Sequence, residues 1–221
     1  MTTLSSQLKT SIEHWVENLR RTSQLGALTK SGKLPPRALA FYLEGLRHLW
    51  QKSPLNLQLA ARKSRELGLT ELEEYFELKV REEKGHDMWA VDDLSRLPHA
   101  ASDGVQQSAS IVRLVELQRA LIAEHPVCFV AYVLWAEYFT MLLGDEWIAA
   151  LGASGYAPDQ LSGIVKHVDA DREHAPHGST EIDRLWLGQP DRHAMLQVVE
   201  RASRIFEDFC AEICNEAQRA A

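Results

Sequence analysis

Cysteine is scarce in this sequence, with three residues among 221. An odd count, and the spacing of Cys210 and Cys214 by one helical turn, do not make a disulfide framework. The N-terminus lacks the basic start and apolar stretch of a secretory signal. The longest apolar run, residues 126–136, is too short to span a bilayer and is followed by Glu137. These absences predict a cytoplasmic chain with reduced thiols and no membrane partner.

An excess of positive charge is also missing. The sequence has 24 Lys and Arg against 31 Asp and Glu, a formal net charge of -7, without a long block of like charge. A negative overall field repels phosphate backbones instead of attracting them. The composition therefore predicts that nucleic acid is not a partner.

The alternation of apolar and polar residues that is typical of strands is absent as well. Apolar residues spaced by three or four recur from residue 5 to residue 218. With 45% apolar residues the chain is long enough to bury a substantial core as one domain, residues 1–221. We therefore expect an all-α bundle of about seven helices.

Several residues predict where helices begin and end. Thr70 and Glu73 have the spacing of a capping box, which predicts the start of a long helix that ends near Pro98. Pro158 should begin a helix that reaches about residue 174, where Pro176 stops it. Further helices are predicted to begin at Pro36 and to cover residues 108–124, 127–143 and 192–217.

Three side chains with metal-ligand chemistry share one face of the predicted helix over residues 158–174. His167, Asp171 and His174 are spaced by four and three residues, and at about 100° per residue they fall within about 60° of arc. Ile164 extends this row by one turn, which indicates that the row faces the core. A solvated, charged outer face is the alternative. Two histidines and an aspartate on a common face favour metal binding.

A second polar pair interrupts the apolar row of the predicted helix over residues 70–97. Glu83 and His86 place a carboxylate and an imidazole on one face, where both can reach a single ion. Glu82, four residues before His86, could take the place of Glu83. Lys79 would either direct its ammonium towards a substrate carboxylate or snorkel to the surface. An exposed run of charges is the alternative interpretation of this segment.

Glu137 is the only formally charged side chain between Glu124 and Asp145. A helix that is apolar on all sides should be buried. A buried carboxylate is costly unless it is neutralised, ion-paired or bound to metal. Glu137 is therefore either a protonated or hydrogen-bonded core residue or a carboxylate that bridges two irons.

Together these positions supply enough ligands for two metal ions. Mixed nitrogen and oxygen ligands suit iron or manganese, and the lack of thiolates argues against structural zinc. Because redox chemistry with dioxygen is the common use of helical carboxylate sites, we expect two Fe(II) ions per chain. The predicted ligands are Glu83, His86, Glu137, His167, Asp171 and His174.

With these residues the chain resembles the heme-oxygenase-like non-heme diiron oxidases, which are related in fold to the quinone-cofactor oxidase and thiaminase II. The resemblance covers most of the chain and rests on EEKGHDMW at residues 82–89, AYVLWAE at 131–137 and HVDADREH at 167–174. It implies a heme-oxygenase-like helical bundle, a homodimer, and an iron-dependent oxidoreductase that uses O2 to oxidise a small organic substrate, with or without an external electron donor. Family reactions include oxidative decarboxylation, C–C cleavage and N-oxygenation. The spacing of Glu83 and His86 is most similar to that of members that decarboxylate medium-chain fatty acids.

Three alternatives remain open. Cys128 lies four residues before Tyr132, a spacing similar to that of thiaminase II, which implies a hydrolase with a cysteine nucleophile. A ferritin-like four-helix bundle would use Glu44 and would give His167 no role. A non-enzymatic helical protein could hold a structural or storage metal, and closed coordination without a substrate cavity would favour it.

Overall fold

The computed structural model describes residues 3–185 and 189–220. These residues form ten α-helices and one short 3-10 helix at Pro158–Leu161, and the described part of the chain contains no strand. The all-α prediction is confirmed, although short helices raise the count above the predicted number. The helices are α1 (Leu4–Thr22), α2 (Gln24–Lys30), α3 (Pro36–Glu66), α4 (Thr70–Glu83), α5 (His86–Ser95), α6 (His99–Ser102), α7 (Ala109–Glu124), α8 (Pro126–Ala153), α9 (Ser162–Arg184) and α10 (Gln189–Arg219).

Helix α8 is the central helix of the bundle. It packs against α9, α10, α1 and α7, and its aromatic and branched residues lie in the main hydrophobic core. It is longer than the apolar run 126–136 suggested, and by length and composition it could cross a bilayer. However, 61% of its most apolar window is buried inside the protein, as in a core helix.

The predicted long helix after residue 70 is interrupted, so this prediction is wrong. Gly85 has a φ of 92°, in the left-handed region where a side chain is strained. The break separates α4 from α5, so that Glu83 lies in the last turn of α4 and His86 is the first residue of α5. The two side chains therefore do not lie on one continuous helical face.

Two other predicted helix boundaries are also wrong. Leu69 precedes α4 and makes no side-chain capping bond, so Thr70 and Glu73 do not form the predicted capping box. Pro176 does not stop α9, which continues to Arg184. The second half of α9 buries Ala175, Gly178, Glu181 and Ile182. This tertiary packing offsets the backbone hydrogen bond that proline removes.

Helices α5 and α9 are held together at the start of α9. Both carboxylate oxygens of Asp93 accept from Gly163 N–H, at 2.9 and 3.0 Å, and one also accepts from Ile164 N–H at 3.1 Å. The backbones approach so closely that a Cβ on Gly163 would lie 2.4 Å from the carbonyl oxygen of Trp89. This junction fixes the position of α9 relative to α5, and both helices carry predicted ligands.

Candidate metal centre and its cavity

The six predicted ligands converge between α4, α5, α8 and α9. Each of three groups has ligand atoms within 4.8 Å of one another. The first group joins Glu83, His86 and His167, and the second joins Glu83, Asp171 and His174. The third group contains Glu82, Glu137 and His174. The fold thus builds two adjoining clusters of carboxylates and imidazoles from helices distant in sequence.

Both Glu82 and Glu83 belong to the ligand groups, so Glu82 does not replace Glu83. The two carboxylates belong to different groups, although they are adjacent in sequence. Glu82 Oε2 lies 3.9 Å from His174 Nδ1, whereas Glu83 Oε2 lies 3.6 Å from His86 Nδ1. A repeating helical row cannot assign two consecutive residues to one site, which is why the sequence pattern presented them as alternatives.

Lys79 is buried within the same cluster. Its side chain is 0% exposed, so the snorkelling alternative is wrong. The ammonium Nζ lies 2.8 Å from Glu82 Oε2 and 2.8 Å from Glu137 Oε1, and it donates to the carbonyl oxygen of His174 at 3.3 Å. Burial lowers the pKa of Lys79, but Glu137 and Glu82 more than offset this effect and raise it above its usual value. The Lys79 ammonium therefore supplies a positive charge to this part of the site.

The pKa values of the buried groups in the cluster differ because their surroundings differ. Burial raises the pKa of Glu83, but the neighbouring His86 and His167 imidazoles outweigh this effect and hold it at about 2. Burial raises the pKa of Glu137 to about 8, and Lys79 only partly opposes the rise. Burial also lowers the pKa of His167, but Asp171 Oδ2, 3.1 Å from its Nδ1, more than compensates and raises it.

Several polar atoms of the cluster are left without a partner. His86 Nδ1, His174 Nδ1 and Glu137 Oε2 are buried and have no hydrogen-bond partner within the described residues. Each buried polar atom left unsatisfied costs about 1–3 kcal/mol. A metal ion would use these lone pairs, and a set of imidazole nitrogens and carboxylate oxygens suits iron or manganese. The residues present therefore fit a metal centre.

Indole rings support two of the imidazoles. The His86 ring stacks on Trp89 with centroids 4.0 Å apart, and the His167 ring stacks on Trp50 with centroids 4.3 Å apart. Trp89 ends the segment EEKGHDMW, whereas no sequence pattern singled out Trp50. Trp50 lies on α3, far in sequence from every predicted ligand, and no local pattern connects it with the site.

A cavity of about 260 Å³ reaches the cluster. Glu83, Glu137, His167 and Asp171 line one part of it, while Arg20 and Lys30 lie among the lining residues that α1 and α2 contribute. Most of the remaining wall is apolar or aromatic, and it includes Tyr132, Trp135 and Phe139. A cavity beside the ligands is a feature of a reaction site and is not what closed storage coordination predicts.

Cys128 and Glu44, on which two alternative interpretations depend, lie outside the ligand cluster. Cys128 is half-buried and is absent from the described residues that line the cavity, and burial raises the pKa of its thiol. Glu44 forms an ion pair with Arg47, with Oε2 2.7 Å from Nε, and belongs to none of the three ligand groups. The structure therefore assigns Glu44 an ordinary ion-pairing role, which removes the basis for the ferritin-like interpretation.

Comparison with solved structures identifies the architecture. No family model and no curated protein matches the chain. A domain of unknown function with a heme oxygenase-like fold from Shewanella denitrificans OS217 is 17% identical, with a TM-score of 0.85, and the match covers 96% of this chain and 92% of that one. The chain has a heme-oxygenase-like fold.

Two other solved structures agree with this fold. A TenA homolog from Pseudomonas syringae pv. tomato is 13% identical, with a TM-score of 0.72 and coverage of 95% of this chain and 91% of that one. A CADD-like protein of unknown function from Nostoc punctiforme is 12% identical, with a TM-score of 0.66 and coverage of 96% and 98%. At these identities the likeness shows the fold alone. The predicted heme-oxygenase-like bundle is confirmed.

Proposed function

We propose that this protein is an iron-dependent oxidoreductase of the heme-oxygenase-like diiron type, which uses O2 to oxidise a small and largely apolar organic substrate. The observation that carries the proposal is the position of the ligand cluster. Seven buried or nearly buried carboxylates and imidazoles meet where an apolar cavity reaches the centre of the bundle. Metal ligands next to a substrate-sized cavity are the arrangement that metal-dependent catalysis needs.

The two clusters would hold different ions. Glu83, His86 and His167 would bind one ion. Glu82, Glu137 and His174 would bind the other, and Asp171, which faces both Glu83 and His174, would support both positions. When bound, ferrous ions supply the electrons that reduce dioxygen, which protein side chains do not provide.

The remaining residues of the site orient the ligands and exclude water. Trp89 and Trp50 pack flat against His86 and His167 and hold both rings in place. Tyr132, Trp135 and Phe139 form part of the cavity wall. An apolar wall keeps water away from a reactive centre and strengthens the electrostatic interactions inside it.

The cavity also supports a class of substrate. Its mostly apolar wall fits an apolar molecule with one polar end, which would lie next to the ligand cluster. The spacing of Glu83 and His86, most similar to that of the fatty-acid decarboxylating members, favours the same class. We further propose a cytoplasmic homodimer that uses no nucleic-acid or membrane partner, with an external electron donor where the reaction requires one.

The fold is also compatible with a second function. Because a TenA homolog has a similar fold, this architecture is compatible with a thiaminase II-like hydrolase. Such an enzyme would use Cys128, but a thiol outside the cavity with a raised pKa is a poor nucleophile. The ligand cluster would also have no role in that reaction.

Oxygen consumption after anaerobic ferrous loading tests the proposal. The wild-type protein should consume O2 when it is offered straight-chain acids or amines, and His86→Ala should not. His99→Ala is the matched control, because His99 is exposed on α6, outside every ligand group. Equal oxygen consumption by wild type and His86→Ala would contradict the proposal.

A further inference from the structure

Lys79 lies where a second metal ion would bind. Its ammonium is 2.8 Å from an oxygen of Glu82 and 2.8 Å from an oxygen of Glu137, and these two carboxylates belong to the third ligand group. It also donates to the backbone carbonyl of His174, the third member of that group. The first group, Glu83, His86 and His167, has no such internal cation among the described residues. The third group therefore already contains a cation, whereas the first group does not.

A metal ion and a lysine ammonium compete for such a cluster. Both are cations attracted by the same two carboxylates, and like charges a few ångströms apart in a buried site repel strongly. Lys79 has no exposure to bulk solvent, so this repulsion is screened much less than at the protein surface. Entry of an ion into the third group would therefore favour displacement of the ammonium.

An unused acceptor lies near the Lys79 side chain. The Tyr75 hydroxyl is buried and has no hydrogen-bond partner within the described residues. Lys79 Nζ already lies 5.8 Å from the centre of the Tyr75 ring. A rotation of the flexible lysine chain towards Tyr75 would give the ammonium a new partner without loss of its proton.

We propose that Lys79 is a displaceable internal cation. Its ammonium occupies the metal position at Glu82, Glu137 and His174 until a second ion binds there. The inference rests on the proposed function, because it assumes that the cluster binds metal. It follows that the first ion binds tightly at Glu83, His86 and His167. The second ion binds more weakly, because it must displace the ammonium from Glu82 and Glu137.

Anaerobic calorimetric titration with ferrous iron tests this inference. The wild type should bind a first ion tightly and a second at least about tenfold more weakly, and Lys79→Met should reduce this ratio by about tenfold or more, because a buried like charge is removed. Arg81→Met is the matched control: Arg81 is exposed on the same helix, so the ratio should stay as in wild type. The inference would be overturned if the wild type bound both ions with equal affinity. It would also be overturned if Lys79→Met left the ratio of the two affinities unchanged or lost the second ion.

Nuclear magnetic resonance of the wild type gives a test that does not depend on a variant folding. With ¹⁵N-labelled lysine and zinc as a diamagnetic probe, the signal of the buried ammonium should change most at the second equivalent. A largest change at the first equivalent, or none at all, would overturn the inference. Failure of the wild type to bind any ion would instead refute the proposed function, so the two failures are distinguishable.

Discussion

The contact between α5 and α9 at Gly163 gives the sharpest test of how the fold builds the site. In Gly163→Ala, the new Cβ would lie 2.4 Å from the backbone oxygen of Trp89 and 2.9 Å from Asp93 Oδ2, whereas ordinary contacts begin at 3.4 Å. The nearest atom is backbone and cannot rotate away, so the two helices must separate by about 1 Å. Overpacking of this kind costs about 1–3 kcal/mol of unfolding free energy.

The same separation should weaken metal binding. His86 lies at the start of α5 and His167 on α9, and both belong to the first ligand group. Because metal–ligand distances tolerate only about 0.2 Å, a shift of the two helices by several times that amount should lower iron affinity by about tenfold or more. The substitution should therefore reduce both stability and iron affinity.

Urea unfolding of the iron-free protein and ferrous titration measure the two effects. Gly152→Ala is the matched control, because Gly152 also lies in a helix but a Cβ there meets no atom within 4 Å. The control should be stabilised by up to about 1 kcal/mol, since alanine reduces the freedom of the unfolded chain. The reasoning is refuted if Gly163→Ala unfolds at the wild-type urea concentration and binds iron as tightly.

Three further predictions concern individual residues. His167→Ala should weaken ferrous binding far more than Glu44→Ala in the same titration, because Glu44 only pairs with Arg47; the reverse order would contradict the ligand assignment. Cys128→Ala should keep iron-dependent oxygen consumption nearly intact, and complete loss in a folded variant would favour a thiol mechanism. Gly85→Ala and Gly155→Ala should each lose about 1–2 kcal/mol in urea unfolding, because both glycines have positive φ. Only Gly85→Ala should also reduce iron affinity. Equal iron affinities of the Gly85→Ala and Gly155→Ala variants would count against a role for the α4–α5 break.

The ligands that could be predicted from the sequence are those whose signal is local. His167, Asp171 and His174 share one face of one helix, a relation that helical periodicity determines without tertiary information. Glu137 is conspicuous because the surrounding segment carries no other formal charge. The structure places all four in the cluster.

The features that were missed depend on tertiary packing. The break at Gly85 divides a segment whose apolar spacing is continuous, and the consecutive residues Glu82 and Glu83 enter different ligand groups. Lys79 is buried because Glu137, 58 positions later in the sequence, comes to lie beside it. Trp50 meets His167 only through the packing of α3. Periodicity within one segment contains no information on such partners.

The number of ferrous ions bound under anaerobic conditions tests the central claim most directly. Equilibrium dialysis of the wild-type chain, followed by metal analysis, should approach two ions per chain at saturating iron, since the three overlapping ligand groups form two adjoining clusters. His86→Ala and His174→Ala should each lose binding, because their unpaired ring nitrogens belong to different groups. The account would be contradicted if the wild-type protein bound no more iron than a double variant that lacks both histidines.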